Sequence, residues 1–100
     1  MADLSKFRGE LNKIDERIVA LLGQRFTIIR KVADYKKDNQ VPMMQPSRVE
    51  EVKDRCAESA IAHEVNPELL RNLYGLIIDE ACRVEDEIID NPDEAPRTRG

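Results

Sequence analysis

The stretch FRGELNKIDERIVALLGQRFTIIRKVADYK, residues 7–36, decides the fold. It contains no proline, and one series of its apolar residues recurs at alternating steps of four and three, interrupted at one position by Arg25. These residues are Phe7, Leu11, Ile14, Ile18, Leu21, Ile28, Val32 and Tyr35. Because this spacing places them on one side of an α-helix, the pattern predicts a long amphipathic helix from Ser5 to about Asn39.

The predicted first helix is too long to be covered by its own chain. It would extend about 50 Å at 1.5 Å per residue, whereas a compact chain of this size has a radius of gyration of about 13 Å. Its apolar side therefore needs a second chain.

Two prolines, Pro42 and Pro46, end this pattern and bound a short loop, residues 40–47. A second helix is predicted from Pro46 or Ser47 to about His63. Its candidate apolar contacts are Val49, Val52, Cys56 and Ile61.

Asn66 and Pro67 mark the start of a third helix, because an asparagine side chain caps free N–H groups and proline fits the first turn. This helix is predicted to end near Asp90. The fold class is therefore all-α, with residues 1–90 as one helical domain. The polar tail, residues 91–100, is predicted to be disordered.

Composition and charge exclude several function classes. The net charge is −4, and no basic face has the density that a nucleic-acid binder needs. Without a signal-peptide core or an apolar run of about 18 residues, a cytoplasmic protein that enters no membrane is expected. Cys56, Cys82 and His63 lack the spacing of a metal site, so we expect reduced thiols and neither metal nor cofactor.

Two charged residues occupy positions where the helical pattern calls for apolar ones. Arg25 lies among the apolar residues of the first helix, and Glu85 lies among those of the third. A buried, ionised group without a partner is strongly unfavourable, so each needs one. Either the two pair with each other inside the bundle, or both belong to a ligand site.

Further cations lie near this pair in the pattern. Lys36 follows Arg25 by 11 residues, so the two project from nearly the same face. Arg8 lies about 100° around the helix and would reach the pocket of the other chain in an antiparallel dimer. With Arg48 after the loop, these cations and one carboxyl are typical of a site for a small dianion. The alternative for Arg8 and Arg48 is solvated surface charge.

Five segments carry a resemblance to a known family. They are F-R-x-E-L-x-K-I-D at 7–15, L-L-x-x-R at 21–25, V-A-D-Y-K at 32–36, V-P-M-M-Q-P-S-R-V at 41–49 and L-Y-G-L-I-I-D-E-A-C-R-V-E-D at 73–86. In this order and spacing they resemble the all-helical chorismate mutases, over about nine tenths of the chain. The resemblance implies an intertwined homodimer of three-helix subunits, with two equivalent sites at the subunit interface.

The resemblance also implies a reaction and the residues that perform it. The reaction is a [3,3] rearrangement of an enolpyruvyl ether, an isomerisation that needs no nucleophile, base or metal. Arg25 and Lys36 would act in the site of their own chain, Arg8 would come from the partner chain, and Arg48 would help them hold the substrate carboxylates. Lys36 would donate a hydrogen bond to the ether oxygen, with Glu85 on the other side of that oxygen.

The sequence departs from the commonest family pattern around the substrate ring. Gln45 and Val49 replace two acidic loop residues, Ala81 replaces a small polar residue, and Glu85 stands where glutamine is usual. These changes indicate a ring substituent other than the ordinary hydroxyl. The loop and the third helix also resemble the mutases of antibiotic pathways that use 4-amino-4-deoxychorismate, although losing two carboxylates weakens the hold on an ammonium group.

Chorismate and its 4-amino analogue are therefore the two leading substrates. An isochorismate pyruvate lyase, which shares the fold and the Arg-Val pair after the loop, is the alternative enzyme. A non-catalytic helical dimer that binds a dicarboxylate or regulates a partner enzyme is a third possibility. A plain coiled coil would not need Arg25 and Glu85 at apolar positions.

Overall fold

The chain folds into three helices in a computed structural model that describes residues 3–43 and 45–90. The helices are α1 (Leu4–Asn39), α2 (Pro46–Ala62) and α3 (Pro67–Ile89). Within those described ranges there is no strand. The all-α class and the three predicted helices are confirmed, while the predicted tail, residues 91–100, lies outside the described residues.

Local side-chain chemistry explains where the helices begin and end. The Asp3 carboxylate accepts a hydrogen bond from the Ser5 backbone N–H, which caps the start of α1. Gln40 ends α1 in the left-handed region, with φ 56°. The Asn66 side chain caps α3 by accepting a hydrogen bond from Glu68 N at 2.9 Å, directly before Pro67.

Helix α3 is the centre of the fold and packs against both α1 and α2. The buried core consists mainly of small side chains, which let the helices approach closely: Ala33, Val52, Ala57, Ala60, Ile77, Ala81 and Ile88. The prediction that Ile61 packs inside is wrong, since its side chain is 65% exposed. Its neighbour Ala60 is buried instead, and successive residues of a helix are rotated by about 100° from each other.

The N-terminal half of α1 has no cover from its own chain. Every residue from Asp3 to Leu21 is exposed except Gly9, and the molecule measures 61 × 33 × 15 Å. Its radius of gyration is 17.4 Å, well above the value of about 13 Å for a compact chain of this size. Apart from Val19, the large exposed apolar residues of α1 form a surface that we call the α1 stripe: Leu4, Phe7, Leu11, Ile14, Ile18, Leu21, Ile28, Val32 and Tyr35. Exposed apolar surfaces of this extent mark interaction sites.

The described residues also show the state of the two cysteines and the length of the apolar stretches in the helices. Cys56 and Cys82 are free, half-buried thiols, as the sequence predicts. None of the three helices has an apolar stretch long enough to cross a bilayer.

Candidate active site

A pocket of about 190 Å³ lies where the three helices and the loop before α2 meet. Its walls include apolar side chains from all three helices, among them Ile29, Val52 and Ile78. The structure brings together every predicted site residue except Arg8: Arg25, Lys36, Gln45, Arg48, Val49, Ala81 and Glu85 line the pocket.

Lys36 and Glu85 form an ion pair inside the pocket. The Lys36 Nζ atom lies 2.9 Å from Glu85 Oε1, and the two side chains are 17% and 7% exposed. Lys36 Nζ also donates a hydrogen bond of 2.9 Å to the Met43 carbonyl oxygen. One side chain therefore joins α1 to α3 and to the loop before α2.

The predicted alternative in which Arg25 pairs with Glu85 is wrong. Arg25 instead stacks on Tyr74 of α3, while Lys36 pairs with Glu85. Arg25 precedes Lys36 by 11 residues on α1, and Tyr74 precedes Glu85 by 11 residues on α3. The two helices therefore run parallel and in register. Arg25 and Glu85 are therefore offset by about 16 Å along the helix axes, too far for an ion pair.

The Arg25 guanidinium has an unused donor. Its Cζ atom lies 5.6 Å from the centroid of the Tyr74 ring. Among the described residues, Arg25 Nη1 is the buried polar side-chain atom that has no hydrogen-bond partner. A buried donor without an acceptor is unfavourable by about 1–3 kcal/mol, which a bound carboxylate would remove.

Arg48 lines the pocket but is engaged elsewhere. Its Nη1 atom lies 2.7 Å from Glu51 Oε1, one turn further along α2, and both side chains are more than half exposed. The Arg48 hydrogen bond and charge lower the pKa of the Glu51 carboxyl. An exposed ion pair of this kind contributes little to stability, so Arg48 is able to exchange Glu51 for another carboxylate.

Cys82 also lines the pocket, although the sequence pattern did not predict it as a site residue. Burial raises the pKa of its thiol, and the neighbouring carboxylate of Glu85 raises it further. The side chain is therefore a neutral thiol at neutral pH and serves as part of the apolar wall. Cys82 directly follows Ala81 and precedes Glu85 by one helical turn, and this spacing could have indicated that it lies in the pocket.

Arg8 does not line the pocket of its own chain. It is exposed near the start of α1, 17 residues before Arg25, which corresponds to about 25 Å along the helix. The prediction that it serves the site of a second chain stays a prediction.

The arrangement suits a small dianion that must be held in one conformation. Arg25 and Arg48 both line an apolar pocket and offer positive charge to carboxylates. The Lys36–Glu85 pair places an ammonium donor and a carboxyl side by side in the same pocket. Groups of this kind can hold a dianion in one orientation and can stabilise negative charge near Lys36.

Comparison with known proteins agrees with this geometry. The sequence profile of the family described as chorismate mutase type II matches residues 7–86. The chain is 41% identical to a 4-amino-4-deoxychorismate mutase of Streptomyces venezuelae, over 87% of this chain and 84% of that protein. It is 40% identical to a 4-amino-4-deoxychorismate mutase of Streptomyces pristinaespiralis, over 86% of this chain and 67% of that protein. A chorismate mutase of Methanocaldococcus jannaschii is 24% identical over 76% of this chain and 77% of that protein. The chain therefore belongs to the chorismate mutase type II family of isomerases.

Proposed function

We propose that this chain rearranges 4-amino-4-deoxychorismate to 4-amino-4-deoxyprephenate, with chorismate as the second candidate substrate. The observation that carries the proposal is a single pocket that holds the Lys36–Glu85 pair together with the unpartnered Nη1 of Arg25. Two relatives at about 40% identity, both named 4-amino-4-deoxychorismate mutases, support the amino substrate.

The rearrangement is intramolecular and requires orientation more than chemical groups. The ether C–O bond breaks as a C–C bond forms between the enolpyruvyl side chain and the ring, and no proton is transferred. Arg25 and Arg48 bind the two carboxylates and hold the side chain over the ring, which lowers the barrier by removing unproductive conformers. Lys36 donates a hydrogen bond to the ether oxygen, which gains negative charge in the transition state.

The residues around the substrate ring favour a substituent other than the ordinary hydroxyl. Gln45, Val49 and Ala81 line the pocket, and none of them carries a charge. The Gln45 amide offers both a donor and an acceptor to a ring substituent. These residues replace acidic and polar side chains in the commonest family pattern.

The proposed function is tested by supplying 4-amino-4-deoxychorismate, chorismate and isochorismate separately and measuring the turnover of each. Product identification by mass spectrometry is expected to show rearranged 4-amino-4-deoxychorismate, with a higher kcat/KM than for chorismate. The double variant Gln45→Asp, Val49→Glu restores the acidic loop and is expected to shift the ratio of kcat/KM values between the two substrates. Release of pyruvate from isochorismate would instead identify a lyase, and binding without turnover would identify a non-catalytic dimer.

The proposed active unit is a homodimer. The α1 stripe is exposed along most of a helix that its own chain does not cover, and a second copy offers an equivalent stripe. Apolar surface that becomes buried contributes about 25 cal/mol per Å². In this dimer, Arg8 reaches the pocket of the partner chain and binds a substrate carboxylate there.

The charge of Glu85 leads to a prediction about turnover. A carboxylate beside the ether oxygen would repel its developing charge, whereas an uncharged donor would give it a hydrogen bond. A glutamine amide is such a donor and has nearly the same size as the glutamate side chain. The group at position 85 is therefore expected to affect kcat through the hydrogen bond that it offers to the ether oxygen.

The matched variant is Glu85→Gln, which keeps a hydrogen-bond donor at every pH. Its kcat is expected to hold or rise at neutral pH. Measurements of kcat at neutral pH, with a melting curve for each protein, check this expectation. A variant that is both less stable and less active would contradict this role and leave Glu85 as the ion-pair partner of Lys36.

A further inference from the structure

Tyr74 contacts a principal substrate-binding side chain without lining the pocket itself. The Arg25 guanidinium lies over its ring, with the Cζ atom 5.6 Å from the ring centroid. At this distance the face of an aromatic ring attracts a cation. The sequence pattern predicts Tyr74 only as an apolar contact of α3.

The ring is not simply enclosed by the core. Tyr74 also borders a second cavity, of about 200 Å³, together with Cys56 and Leu70. The ring is therefore partly open to this depression and in contact with the Arg25 guanidinium.

The phenol group of Tyr74 is uncharged at neutral pH. Burial raises the pKa of Tyr74, and the neighbouring Cys56 thiol raises it further. A phenolate would compete with a substrate carboxylate for the Arg25 guanidinium. A neutral ring holds the guanidinium through its face and leaves the N–H groups at the edge available, in agreement with the unpartnered Nη1.

We propose that Tyr74 is a positioning residue for substrate binding: its ring orients the Arg25 guanidinium so that Nη1 meets a substrate carboxylate. The inference deepens the proposed mutase function and rests on it. Without the ring, the long arginine side chain would populate several rotamers, and the substrate would have to select one of them.

Two substitutions separate the ring from the hydroxyl. Tyr74→Phe keeps the ring and is expected to retain kcat/KM within about twofold. Tyr74→Leu keeps apolar bulk but removes the ring, and is expected to raise KM about tenfold, with a much smaller change in kcat. Tyr74→Met serves the same purpose if the leucine variant does not fold. Ile77→Val, at a buried position of α3 outside the pocket, is the control that lowers stability without changing KM.

A double-mutant comparison tests whether Tyr74 acts through Arg25. Lysine at position 25 keeps the charge but lacks the planar, stacked guanidinium. In an Arg25→Lys background, Tyr74→Leu is therefore expected to raise KM by less than about twofold more. A tenfold loss in both backgrounds would mean that Tyr74 acts independently of Arg25 and would overturn the proposal.

A measurement without substrate separates this inference from the proposed function. The Arg25 Nε–Hε NMR signal, identified by its loss in Arg25→Lys, is expected to shift in Tyr74→Leu and to stay near its wild-type position in Tyr74→Phe. An unmoved signal in Tyr74→Leu, an unchanged KM in that variant, or an equal loss in Tyr74→Phe would each overturn the positioning role. If the wild-type protein converts none of the three substrates, the proposed function fails, and the NMR signal still decides whether Tyr74 orients Arg25.

Discussion

A mixture of Arg8→Ala and Arg25→Ala proteins, each inactive alone, is expected to regain about a quarter of the wild-type activity after the two are unfolded and refolded together. Arg25 lines the pocket of its own chain, whereas Arg8 is exposed near the far end of α1 and does not. Random pairing makes about half of the dimers mixed, and each mixed dimer has one intact site. That site takes Arg25 from one chain and Arg8 from the other.

The controls for this experiment address folding, assembly and surface charge. Each variant refolded alone should stay inactive, and sedimentation should show a dimer in every sample. Arg17→Ala, another exposed position on α1 outside the pocket, should keep its activity without mixing. A folded helical monomer at micromolar concentration would contradict the shared site, and so would a mixture that regains nothing.

Replacement of Lys36 is expected to have the largest combined effect on activity and stability. Lys36→Met removes the proposed donor to the ether oxygen, and kcat should fall by about 10²–10³. It also leaves the Glu85 carboxylate, only 7% exposed, without its ion-pair partner. Removal of one partner of a buried pair is destabilising by about 3 kcal/mol, which a denaturant melt would measure.

A double variant separates the loss of activity from the loss of stability. The double variant Lys36→Met, Glu85→Leu replaces the ion pair by apolar side chains, and such replacements are often neutral or stabilising. We expect it to recover most of the lost stability while it stays inactive. Arg83→Ala is the surface control, because Arg83 pairs with the exposed side chains of Glu80 and Glu87. It should change neither property appreciably. A double variant that regained turnover would contradict the role of Lys36.

The helices could be predicted from sequence because their boundaries depend on local chemistry. Asn66 and Pro67 act through their own side chains at the start of α3, and Pro42 follows the end of α1 within a few residues. Arg25 and Lys36 were also predictable as neighbours, because helical periodicity places them on one face of α1. Gln45, Val49 and Ala81 were predicted only through the family resemblance. These inferences need no knowledge of how the helices pack.

The pairing of side chains across helices could not be predicted in this way. Periodicity defines the face of one helix but not its axial position against another. The pattern therefore allowed Arg25 and Glu85 to be partners. The parallel register of α1 and α3 shows instead that Arg25 contacts Tyr74 and that Lys36 pairs with Glu85. The same limit applied to Ile61, because the choice between it and its neighbour Ala60 depends on how α2 is rotated against α3.

The two hydrogen bonds of Lys36 have a consequence for the energy of each catalytic cycle. An ammonium group has three N–H bonds in a fixed tetrahedral arrangement, and here two of them are engaged by Glu85 Oε1 and the Met43 carbonyl oxygen, each at 2.9 Å. The direction of the third N–H is then determined by the other two. In water, solvent dipoles must rotate towards a forming oxyanion, and this reorganisation is part of the barrier. In the proposed mechanism the Lys36 N–H dipole is oriented once, when the chain folds, and the same orientation serves every turnover that follows.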